Sequence, residues 1–264
     1  MRTFLVSILA GLACFTASAQ FDFSSVGFMG TLGYTNAPTG GGNNAAIVAG
    51  HTAITNGPSG ISPVTITIPG GVTSGNMIEM MAIVYQGTTY NFAGTEVSRV
   101  AGSSTATIGT VTMDCFTNAL SGVSGSALFH AMVTGSGTLT MQLNVASTTL
   151  IALGGAECTG INATPLQVAG KNAGTATAAP WAATTGGIST AMGIMFSLEE
   201  DDGSTNWATT GSDTILYSLT TPATTLDYVW QAKLVNASTY TMTNTVSPSN
   251  PCHWHMLYAN YKSN

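Results

Sequence analysis

The chain has 264 residues, only 6% of them charged (five basic, eleven acidic), for a net charge of −6. Ordinary domains carry about 25% charged residues, so this composition excludes a charged cytosolic surface, and five cations cannot supply the clustered Lys and Arg that phosphate backbones require. At 44% hydrophobic the chain is also the reverse of a disordered one, and the class that remains is an exported all-β protein.

Taken from the N-terminus, the first element is a leader. Arg2 supplies the positive end, Phe4 to Phe15 the apolar stretch, and Ala17-Ser18-Ala19 the small-residue cleavage site, so residues 1–19 read as a signal peptide with Gln20 as the mature start. The apolar stretch falls short of the roughly 20 residues that span a bilayer. No later stretch is long enough either, which predicts a secreted or surface location without membrane insertion after cleavage. Cys14 sits in a poor lipobox, its leucine misplaced. Residues 20–60 pass from an aromatic, glycine-punctuated stretch (Phe21 to Tyr34) to a loop-like one (Pro38 to Gly60), either a linker or a first strand with a long connection.

From Val64 onward the apolar period is two, the mark of strands with one face in a core. Val64, Ile66 and Ile68 alternate with Thr65 and Thr67; Leu139 to Val145, Leu226 to Leu234, Tyr240 to Val246 and Trp254 to Tyr258 alternate likewise. Met77 to Tyr85 and Ala191 to Leu198 are apolar throughout, which predicts central strands covered on both sides. Further strands are expected at Ile108 to Phe116, Ala127 to Val133, Thr149 to Leu153 and Asp213 to Leu219. A dozen short strands separated by Gly, Asn, Ser and Pro predict a two-sheet antiparallel sandwich of jelly-roll type. No repeat of fixed period is found, so one domain is expected over residues 61–264.

This order resembles the jelly-roll, concanavalin-like sandwich domains of bacterial secreted proteins and phage virion proteins. The likeness runs from the apolar-Thr strand ending at Pro69-Gly70-Gly71, through Val72 to Met77, Glu157-Cys158-Thr159-Gly160-Ile161 and the Pro180 loop, to the closing Trp/Tyr strand. It implies a fold and an exposed location, and no catalytic residues.

Three cysteines follow the leader: Cys115, Cys158 and Cys252. They form one bridge with one thiol left over, or serve as three buried hydrophobes. Asn162-Ala163-Thr164 and Asn236-Ala237-Ser238 match glycosylation acceptors. The acidic cluster Glu199-Glu200-Asp201-Asp202 reads as a loop. It lacks the further glutamate a glucanase strand would carry, Ser204 standing there instead. Glu200, Asp201 and Asp202 are the candidate calcium ligands, with Ser204, Thr205 and Asn206 as additional oxygens. His253 and His255 share a strand face, but a zinc site would need His51 or His130 from afar. No nucleophile elbow or phosphate loop occurs. Trp230 and Trp254 sit at core parity, whereas Trp181 and Trp207 read as loop aromatics beside hydroxyls and amides, the candidate ligand-binding residues for stacking a sugar ring. Thr239, Thr241 and Thr243 could form a hydroxyl ladder, though Thr suits any exposed strand face. The expectation is a non-enzymatic binding or adhesion protein with a glycan or cell-surface ligand. The alternatives are a self-assembling virion or envelope subunit and, third, a glycoside hydrolase.

Overall fold

Alternation of apolar and hydroxyl side chains shapes the local structure: in β2 (Val64–Thr67) Val64 and Ile66 are buried while Thr65 and Thr67 face solvent. The structure, a computed structural model, describes residues 43–57, 62–86, 88–118, 124–146, 150–176, 181–201, 207–209, 214–219, 227–246 and 252–264. These fall in one compact unit, and every strand pairing among them is antiparallel. The leader and Asp202 lie outside the described residues.

Each half of the chain builds its own pair of sheets. In the first half the inner sheet runs β1 (Ala46–Gly57), β9 (Leu150–Thr159), β3 (Met77–Tyr85), β7 (Ser124–Gly135), with β5 (Thr107–Ile108) and β6 (Thr112–Thr117) both on β7. Its outer sheet is β2, β8 (Thr140–Leu143), β4 (Val97–Arg99). In the second half the inner sheet runs β10 (Ile161–Ala176), β19 (Cys252–Ser263), β13 (Gly193–Asp201), β16 (Asp227–Val235), β15 (Thr214–Leu219). The outer sheet there is β11 (Trp181–Thr184), β18 (Thr243–Val246), β14 (Trp207–Thr209), beside a pair formed by β12 (Ile188–Thr190) and β17 (Ser238–Tyr240).

The same winding therefore occurs twice. With β5 and the β12–β17 pair set aside and eight strands numbered along each half, both inner sheets read 1-8-3-6-5 and both outer sheets 2-7-4. Even the extra pair recurs, since the bridge Val72–Gly137 joins in the first half the links that β12 and β17 join in the second. No fixed period betrays this repeat, because the loops differ in length. Its trace is one short motif: Gly70-Gly71-Val72-Thr73-Ser74 against Gly186-Gly187-Ile188-Ser189-Thr190.

Four layers result, with three apolar cores between them. β3 shows how one strand serves two cores: Ile78, Met80, Ala82 and Val84 pack toward β2 and β8, and Met77, Met81 and Ile83 toward the second half. In β13, Phe196 and Leu198 meet them across the seam while Met195 faces the outer core. Both strands expected to be covered on two faces are so; all nine residues of β13 are buried. The acidic segment Glu199–Asp201 is thus the end of a central strand, not the loop that its charge suggested. β1, left open between linker and strand by the sequence, is the edge of the first inner sheet.

Trp230 is the largest fully buried side chain and fills the seam, stacked on Phe196 at 6.2 Å between ring centroids. Truncating a buried aromatic costs about 3–5 kcal/mol. Trp230→Ala is expected to lose that much in urea unfolding followed by circular dichroism; a loss below about 1 kcal/mol would show the seam is not a core.

Candidate functional site: a polar seam and an uncharged groove

Strand alternation aims several ionisable side chains into the seam between the two inner sheets. On one side Ser126 of β7 donates its hydroxyl hydrogen bond to Glu200 of β13, and His255 of β19 pairs with the same carboxylate through Nε2 at 2.9 Å. Ser126 Oγ also lies 3.2 Å from that nitrogen. All three residues are fully buried. A charge-relay serine needs the acid and the hydroxyl on opposite ring nitrogens; here both meet Nε2, so the arrangement differs from a relay, and it ties the halves together.

On the other side Asp114 of β6 is held by His130 Nδ1 at 2.7 Å and accepts the hydroxyl of Tyr261 at 2.6 Å. The two contacts are reciprocal, for each half contributes a carboxylate that accepts a hydroxyl from the other. Burial, with Asp114 and Glu79 close by, pushes the Tyr261 phenol well above its usual range, so it remains a donor. Glu79 faces the same interior. Burial, then the charge of Asp114, raises its carboxyl well above the usual range, and the indole N–H of Trp230 acts in the opposite direction.

The other carboxylates also serve the fold. Glu157 accepts from the Thr73 N–H and from Asn76 Nδ2, both at 2.7 Å, and pairs with His51 at 2.5 Å. Glu96 accepts from the N–H groups of Ala93 and Gly94 at 2.6 and 2.9 Å. Glu200 and Asp201 are successive strand residues and so point to opposite faces. Among the described residues no three His, Cys, Asp or Glu side chains gather as metal ligands. Cys115 and Cys158 are free thiols, and burial pushes the Cys115 thiol up to about 12.

Trp181 and Trp207 begin short strands and do not stand in loops. The backbone register sets both opposite Val246 of β18, one from each side. The sequence reading placed them apart; only sheet pairing brings them abreast.

A solvent-facing groove that the sequence reading missed lies at the first half's Gly-Gly turn. It holds about 520 Å³ and is lined by Thr67 to Val72, Thr105, Gly137 and Thr138. Its floor is bare backbone: Val72 and Gly137 exchange hydrogen bonds of 2.7 and 3.0 Å, and a Cβ on Gly71 (φ +81°) would stand 3.0 Å from the Gly137 carbonyl. Thr105 Oγ1 accepts from the Thr138 N–H at 2.9 Å. No ionisable side chain lines the groove. The signal that could have found it is the pairing of Pro69-Gly70-Gly71 with Gly137-Thr138, which needs the fold. Compared with known proteins, the chain matches no family model, no curated protein and no solved structure.

Because Glu79 titrates higher folded than unfolded, the folded chain keeps a proton that the unfolded chain loses from about pH 4 upward. Its contribution to stability is therefore greatest below the ordinary glutamate range and falls as pH rises through the folded-state value. Glu79→Gln should gain on wild type with rising pH in urea midpoints taken from pH 4 to 8; a constant difference would contradict the raised carboxyl. Cys115 and Cys158, in turn, should resist iodoacetamide at pH 8 in the native protein and react in urea, as read by peptide mapping. Rapid native labelling would show that the thiols are open.

Proposed function

We propose that this chain is an exported protein of two tandem jelly-roll units that acts by binding, without catalysis, and whose ligand class is a neutral glycan. The 1-8-3-6 and 2-7-4 strand orders support the jelly-roll reading of each half. Export rests on the leader at residues 1–19. The observation that carries the binding reading is the separation of chemistry between inside and outside. Among the described residues the seam and the turns absorb seven carboxylates, while the groove is lined by threonines, main chain and the apolar Ile68, Pro69 and Val72, with no ionisable side chain. A threonine hydroxyl both donates and accepts, so such a wall matches a polyhydroxylated, uncharged partner and gives no purchase to an ionic one.

A glycan array tests this. Wild type is expected to bind one or more neutral glycans, with signal falling at least tenfold in Thr138→Val and unchanged melting. No signal above background on any neutral glycan would remove the proposal. Loss in Trp181→Ala plus Trp207→Ala instead would move the site to the row beside Val246.

A second reading, a self-assembling structural subunit, has one observation in its favour. Among the described residues β10 is a 16-residue edge strand paired only with β19, and long edges template pairing between copies. Pro165 and Lys171 within it are the residue types that guard an edge, which is why binding is the preferred reading. Light scattering at high concentration separates the two: a strict monomer excludes self-assembly.

A further inference from the structure

We infer that the second half carries a second glycan site, at the Gly186-Gly187 turn, making the chain bivalent. The inference rests on the binding reading above and extends it from one groove to two.

Topology is the first ground. The groove lies where the link after strand 2 meets the link after strand 6 of its half, and in the second half the same two links meet as the β12–β17 pair. Backbone geometry is the second. Gly70 and Gly186 open the two turns with φ of +73° and +72°, and each is followed by a glycine, a buried β-branched residue (Val72, Ile188) and an exposed hydroxyl (Thr73, Ser189). The third ground is chemistry. Ser189 pairs directly with Thr239, both exposed, and exposed Thr241 follows Tyr240, the partner of Ile188, as Thr138 follows Gly137, the partner of Val72. The turn glycine answers a backbone need, but exposed hydroxyls on both flanks do not follow from it; Thr241 is the counterpart of Thr138 in the first groove, and Ser189 and Thr239 stand beside it.

The sites are not copies. Tyr240, half-buried, stands opposite Ile188 where Gly137 stands opposite Val72, and Lys233 lies over its ring at 5.8 Å. The second site thus has an aromatic and a cation beside its hydroxyls, so the two are expected to differ in affinity. They lie in different halves, one on each side of the seam.

Isothermal titration with neutral glucan and mannan hexasaccharides decides the matter. Wild type should show two sites per chain of unequal affinity. Thr138→Val should leave one site, Ser189→Ala/Thr239→Val/Thr241→Val should leave the other, and all four changes should leave none, with circular dichroism melts unchanged throughout. Beads coated with the same sugars should agglutinate with wild type and not with either single-site variant. One site per chain, abolished by Thr138→Val and untouched by the second set, would overturn bivalence while leaving glycan binding in place. No binding of any neutral glycan overturns the binding proposal, and bivalence with it.

Discussion

The molecule depends on burying the seam faces of its two inner sheets against each other. Each inner sheet is apolar on both sides, and its own outer sheet covers only one. Left alone, either half would expose Met77, Met81, Ile83 and Leu128, or Phe196, Leu198, Tyr228 and Trp230, a patch far larger than a soluble monomer tolerates. Association of the halves removes that surface from water, and the non-directional gain is of the order of 25 cal/mol per Å². Apolar contact alone would let the sheets slide. The reciprocal bonds, Ser126 to Glu200 and Tyr261 to Asp114, are met together in one relative placement, so they set the register of halves that packing merely holds together.

This arrangement explains the odd electrostatics of the chain. Glu79, Glu96, Glu157, Glu199, Glu200 and Asp201 are buried, and so is the Asp114 side chain; these are seven of the eleven acids. Charges that an ordinary domain displays are here folded inward at a substantial cost in desolvation, and Glu96, Asp114, Glu157 and Glu200 organise the groups around them. Among the described residues the exposed positions are mostly Thr, Ser, Asn and Gly, with a few cations such as Lys171. A hydroxyl-rich exterior and an ionisable interior are two consequences of one distribution, and the functional proposal follows from it.

Much of the fold was legible. Period-two patterning located β2, β8, β16 and β19, and the uninterrupted apolar runs at Met77 and Ala191 marked the strands covered twice, because burial on both faces leaves no position for a polar residue except a partnered one. The acidic run misled for the same reason: four adjacent acids signal solvent unless partners such as Ser126 and His255, distant in sequence, are known to await them. Trp181 and Trp207 read as loop residues because three- and four-residue strands are too short to show a period. The repeat escaped because sheet winding survives changes in loop length that erase any fixed spacing. Only Gly70 to Ser74 with Gly186 to Thr190 kept its outline.

By itself the sequence determined the class: β strands, through the two-residue period of its side chains, and a surface poor in charge, through a composition that has little to place there. Tertiary structure decided what each ionisable group does, that the winding is used twice, and where an uncharged groove opens. Those outcomes depend on contacts between residues as far apart as Ser126 and His255 or Gly71 and Gly137. Local propensity acts over a few residues and carries no information on which strand will lie beside which.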